Sequence, residues 1–204
     1  MKKNVSKILS LVLAVAMCFC MGVTAFAAEI NTAGGSGTTP VNLSTTKDGT
    51  IGGDPAATAL SVTVPTSLPM AMAQDGTVTT ADNCKITNNS YGAVRVKTVT
   101  IAGANNWTLT AFGDKTTLAS EKVDSNKLGF AMSIGGGAQV KTDNSNTASQ
   151  ALISAPVTGC HMTGVGDQTG NSISVIYDAI VTPLSNAVTN ATIANVVFIV
   201  EWDA

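Results

Sequence analysis

Alternation of apolar and polar side chains with a period of two is the feature that most restricts this 204-residue chain. Successive residues of an extended strand face opposite sides, so a period of two marks a ribbon with one buried face. Leu60, Val62 and Val64 share one parity before Pro65. Leu128, Phe130 and Met132 do so before Gly135-Gly136-Gly137, and Ile173, Val175, Tyr177, Ala179 and Val181 do so before Pro183. Pro65 and Pro69 bracket a bend, and Asp75-Gly76 and Asn88-Asn89-Ser90 read as turns. No long segment carries helical periodicity and no repeat of fixed length appears. The pattern predicts an all-β fold, an antiparallel β-sandwich or jelly roll of about eight strands.

Three segments carry finer expectations. Between Ala93 and Ile101 the parity slips: Val94 and Val96 fall on one face, Val99 and Ile101 on the other. One strand presents both sets to one core only with an extra residue between them, which predicts a β-bulge near Lys97-Thr98. In Ala194 to Trp202, Val196, Phe198 and Val200 share one face while Val197 and Ile199 share the other. A strand apolar on both faces is expected in the middle of a sheet, or covered on both sides. Residues 141–171 are mostly polar and glycine-rich and read as a long excursion, with a short helix near Thr147 to Leu152.

The N-terminus has a different grammar. Lys2, Lys3 and Lys7 precede an apolar stretch from Ile8 to Met21 broken only by Ser10, and Ala25-Phe26-Ala27 supplies a small-x-small cleavage site. Residues 1–27 therefore read as a signal peptide, its apolar run shorter than the ~20 residues of a spanning helix. Residues 28–57 read as a flexible leader rich in Gly, Ser and Thr, in which Val41 and Leu43 would suit one isolated strand. Residues 58–204 form the expected β-sandwich domain. The protein is expected outside the cell, secreted or wall-associated, with no transmembrane segment after cleavage.

Charge and composition exclude several function classes. All 13 acidic residues follow residue 27, where 8 basic residues remain, so the exported part carries a net charge of −5. Arg95 is the only arginine. A nucleic-acid binder needs a basic stripe, and none is present. His161 is the only histidine, and it adjoins Cys160, whose side chain would face the other way on an extended chain. No Ser-His-Asp or Cys-His unit can be assembled without it, so no catalytic residue is assigned. Cys84, Cys160 and His161 lack zinc-ligand spacing, and no calcium-loop pattern appears, so no metal and no cofactor is expected. Two readings of Cys84 and Cys160 stand. They form a disulfide closing a loop of about 76 residues, worth on the order of 4 kcal/mol, or they are two buried thiols.

The segment Gly103-Ala104-Asn105-Asn106-Trp107-Thr108-Leu109-Thr110-Ala111 follows a Val/Thr-rich strand and precedes a polar loop leading to Leu128. It resembles the WxL surface domains of Gram-positive bacteria, whose Trp-x-Leu has a similar strand-loop-strand setting. Trp202 stands where that family's second tryptophan would, without the leucine. The resemblance implies a non-enzymatic, adhesive or structural surface protein. Trp107, Leu109 and Trp202 would be its wall-binding residues, and peptidoglycan or other surface glycans its partners. A second, architectural resemblance is to camelysin-like fibre proteins. It implies self-association, with Pro40 to Thr45 joining the sheet of a neighbouring subunit by strand addition. A carbohydrate-binding module is the third reading.

Overall fold

The computed structural model describes residues 41, 43–53 and 56–203, and the chain divides into two units, Met1–Ala57 and Thr58–Ala204. The signal-peptide reading, residues 1–27, lies outside the described residues, as does much of the leader. In the first unit Val41 and Leu43 are almost fully exposed, and the described part of that stretch forms no strand. Local hydrogen bonds shape residues 48–53: the Thr50 N–H donates to Asp48 Oδ1 at 3.0 Å, and the Gly53 N–H to the Thr50 carbonyl at 3.0 Å.

The second unit is built almost entirely of strands. They are β1 (Val62–Thr63), β2 (Met70–Met72), β3 (Val78–Thr80), β4 (Lys85–Asn88), β5 (Val94–Gly103), β6 (Thr108–Thr110), β7 (Lys127–Ile134), β8 (Val140–Lys141), β9 (Ser149–Ile153), β10 (His161–Met162), β11 (Ser172–Val181) and β12 (Ala194–Trp202). A single turn of 3-10 helix, Lys115–Thr117, is the one helical element among the described residues. One sheet runs β1-β4-β11-β7-β6 with β8 also on β7, the other runs β10-β5-β12 with β9 also on β5, and β2-β3 is a hairpin. The fold is thus all-β and sandwich-like, with open edges. Among the described residues there are twelve strands rather than about eight, because several are only two or three residues long.

The two large sheets share one apolar core. Ile86, Leu128, Phe130, Met132, Val175 and Tyr177 from the first meet Val94, Val96, Val99, Ile101 and Met162 from the second. The parity slip in β5 is resolved as expected. Thr98 pairs with Ile199 and Val96 with Val200, which leaves Lys97 as the extra residue. Val94, Val96, Val99 and Ile101 are all fully buried as a result. The turn after β4 is held by a buried amide: Asn88 Nδ2 donates to the Gly92 and Thr163 carbonyls at 2.9 and 2.8 Å, and its Oδ1 accepts from the Ser90 N–H at 2.8 Å. The β2-β3 hairpin closes against β11, where Thr80 Oγ1 donates to the Tyr177 carbonyl at 2.9 Å.

Three expectations need correction. Thr147 to Leu152 is not helical; Ser149–Ile153 forms β9, because β5 offers it a ladder that local propensity could not anticipate. The sheets are not wholly antiparallel, since β6 runs parallel to β7, with Leu109 opposite Leu128. Most consequential, β12 does not lie in the middle of a sheet. Among the described residues it pairs only with β5, and Val197 and Ile199 on its outer face are about half exposed. The strand covered on both faces is β7, where Leu128 through Met132 are all buried.

Candidate docking edge

Edge strands carry unpaired backbone groups, and proteins usually blunt them by keeping them short or charged. Here the other strands that end the two large sheets are two to five residues long, whereas β12 has nine. The phase of its ladder is set at both ends. The Ala104 N–H donates to the Ile193 carbonyl at 3.0 Å, and the Asp203 N–H to the Ala93 carbonyl at 3.0 Å. Backbone groups alternate sides along an antiparallel strand. The odd-numbered residues therefore bond to β5, while Ala194, Val196, Phe198, Val200 and Trp202 turn their N–H and C=O groups away from it. None of these five has a backbone or side-chain partner on that side among the described residues.

The side chains of β12 divide the other way. Val196, Phe198 and Val200 pack against the core, while Val197 and Ile199 are 55% and 50% exposed and lie outward with Asn195 and Glu201. Outside its last two residues, the strand contains no charge, and it contains no proline. It is a long apolar edge without the usual protection.

A charged cluster fixes the C-terminal end of this edge. His161, Arg95 and Glu201 lie directly opposite one another across β10, β5 and β12. Arg95 Nη2 is 2.9 Å from Glu201 Oε1, Lys97 Nζ is 2.7 Å from Glu201 Oε2, and Arg95 Nη1 is 3.2 Å from Asp203 Oδ1. Asp203 Oδ2 also meets His161 Nδ1. The hydrogen bond from Lys97, and then that from Arg95, hold the Glu201 carboxyl below the usual glutamate range. The bulge brings Lys97 into this group, so one inserted residue serves both the core register and the ion cluster. The chain's one arginine and one histidine are thereby engaged in tying three strands together.

The residues singled out as wall-binding are not brought together. Leu109 is buried in the core and Trp107 is partly buried against it. Trp202 is 38% exposed, with its ring against Gly92, where an added Cβ would come within 3.0 Å of it. Trp202 pairs with Val94 at one end of β5, and Trp107 follows Gly103 at the other. At ~3.3 Å per residue the two ends lie about 30 Å apart. Trp107 closes a tight turn: its N–H donates to the Ala104 carbonyl at 3.0 Å, with Asn105 and Asn106 both at positive φ. Paired asparagines are well suited to that left-handed geometry, and Asn105-Asn106 was the legible signal for the turn. Tyr91, beside Gly92, is the most exposed aromatic of the described residues.

Cys84 and Cys160 are unbonded thiols, Cys160 buried and Cys84 half-buried. They lie just before strands of different sheets, with the Cys84 carbonyl accepting from Val175 N–H and the Cys160 carbonyl from Val96 N–H. Elsewhere, a cleft of about 410 Å³ is bordered by Phe112, Lys115, Gln139, Lys141 and Asp178. Its cations are already engaged: Lys141 Nζ lies 5.4 Å from the Phe112 ring centre, and Lys115 Nζ lies 3.1 Å from Asp75 Oδ2. The N–H and hydroxyl of Thr77, followed by Lys115, lower the Asp75 pKa to about 2. Among the described residues no three His, Cys, Asp or Glu side chains gather as a metal site, and no helix is long and apolar enough to cross a membrane. In comparisons with known proteins, the chain matches no family model, no curated protein and no solved structure.

Proposed function

We propose that this is a non-enzymatic structural protein of the cell exterior, and that it works by accepting an added strand along β12. The observation that carries the reading is the nine-residue edge itself, with five outward-facing backbone positions beside exposed Val197 and Ile199. Main-chain bonding supplies affinity in such pairing, and alternate side chains supply selectivity. The N-terminal export pattern supports an extracellular setting. Amide hydrogen exchange tests the proposal. Val196, Phe198 and Val200 should gain protection when a strand is added, either by raising the protein concentration or by supplying strand-forming peptide. Amides that exchange at one rate under every such condition would overturn it.

A second reading, binding to surface glycans, is favoured by the exposed Trp202 and Tyr91 at one end of β5. An aromatic ring with one open face can stack on a sugar ring. It would place contact at Trp202 rather than at the buried Leu109. Co-sedimentation with insoluble peptidoglycan, lost in Trp202→Ala, is the expected result; equal pelleting of the variant would refute it.

A further inference from the structure

We infer that the strand received by β12 is β12 of a second copy, lying antiparallel across a two-fold axis at Phe198. The inference rests on the strand-addition reading and names its partner. An isologous contact must be self-complementary, because each residue meets the partner dictated by the symmetry. With Phe198 opposite its own copy, Val196 faces Val200 and Ala194 faces Trp202, so the five residues with free backbone groups meet one another in full. On the outer face Val197 then lies opposite Ile199, and Asn195 lies opposite Glu201. The two exposed branched side chains cover each other in non-hydrogen-bonded pairs, where side chains approach closest.

Charge agrees with this register. Glu201 is the only charged side chain of β12, and two carboxylates directly opposite each other would oppose pairing. Centring on Phe198 places each Glu201 against an amide side chain and leaves its bonds to Arg95 and Lys97 undisturbed. Edge length agrees as well, since the donated strand and the accepting strand both have nine residues. The leader segment around Val41 and Leu43 offers only two alternating apolar side chains. A two-fold contact uses the same edge on both copies and so closes on itself. Among the described residues the other edges of the large sheets, at two to five residues, offer no comparable second border. The product is a dimer with one sheet running through it.

Disulfide trapping reads both partner and register. Val197→Cys and Ile199→Cys are made separately, since both sites are surface positions. Non-hydrogen-bonded pairs about 4.5 Å apart at Cα suit a disulfide. On mild oxidation the mixture of the two variants should yield cross-linked dimer at least tenfold above either variant alone, with the unsubstituted protein as control for Cys84 and Cys160. Efficient cross-linking of one variant by itself would overturn the Phe198-centred register. Sedimentation equilibrium should give twice the chain mass, shifting towards the monomer in Val197→Lys. A monomer at all concentrations, or filaments in electron micrographs, would overturn the closed dimer. The strand-addition reading survives that failure if a peptide of residues 38–47 protects the Phe198 amide, and falls with it if no peptide does.

Discussion

β7 and β12 are both apolar on two faces or nearly so, yet one lies inside its sheet, with strands on both sides, and the other at a border. In β7 the inward row is Leu128, Phe130, Met132 and Ile134, while the other row is Gly129, Ala131 and Ser133. Those small residues let a neighbouring side chain and other backbone come close. A Cβ on Gly129 would lie 2.7 Å from the Ile180 side chain, 2.9 Å from the Ala111 carbonyl oxygen and 3.0 Å from Phe112 Cα. Thr142 bridges β7 to β6, its Oγ1 accepting from the Phe130 N–H at 2.8 Å and donating to the Thr110 carbonyl at 2.7 Å. In β12 the second row is Val197 and Ile199, branched and uncovered. In β7 the small second row lets backbone and the Ile180 side chain close over it, whereas Val197 and Ile199 in β12 stand uncovered in the single chain. Between these two strands the difference is bulk on the second face rather than apolarity.

That contrast can be broken by substitutions graded along it. Met132→Ala, at a fully buried position of β7, should cost about 2–5 kcal/mol, seen as a lower urea midpoint; a loss below about 1 kcal/mol would mean that the inward row of β7 is not in the core. Gly129→Ala should cost about 1–3 kcal/mol through overpacking against Ile180, Ala111 and Phe112. If the same denaturation assay finds it neutral, the close cover over β7 is wrong. Glu201 sharpens the other side of the comparison through pH. Its folded-state value lies below the ordinary one, so its contribution is complete above the ordinary glutamate range and is lost as pH falls through the depressed value. Glu201→Gln should therefore flatten the acid side of a stability-against-pH curve, and an unchanged curve would show that the cluster does not anchor β12. The smallest effect is expected at Val197→Thr in the dilute, monomeric protein, within about 0.5 kcal/mol of the parent, because the site is half exposed in the single chain. A large loss in the monomer would mean that the outer face is covered within one chain.

Much of the fold was written in local pattern, and the rest was not, for a physical reason. The parity slip around Lys97 exposed the bulge because side-chain direction is a property of consecutive residues. Asp75-Gly76 likewise marked its turn, where the Asp75 carboxylate accepts from the Thr77 N–H at 2.9 Å, although the short β2-β3 hairpin around it went unread. Sheet order is a matter of distant pairing. Nothing local to Ser149–Ile153 announces that β5 is waiting for it, and nothing in Thr108–Thr110 states that its neighbour runs parallel. The candidate edge was missed for the same reason: Val197 and Ile199 were legible as apolar, but not as uncovered. The Trp-x-Leu pattern pointed to Leu109, which the core claims, while Trp202 retained an open face because Gly92 gives its ring a seat at the rim.

The bulge also constrains how this segment can vary in length. On one side of β5, β10 meets Arg95 and Val94 while β9 meets Val99 to Ala102, so two short partners flank the point where the parity changes. On the other side a single strand runs past the same point. Gaining or losing one residue there would turn half the ribbon inside out, trading Val99 and Ile101 for Thr98 and Thr100. Side chains along this stretch can be exchanged for others of similar size, but the number of residues between Val94 and Gly103 cannot change by one without rebuilding the interior.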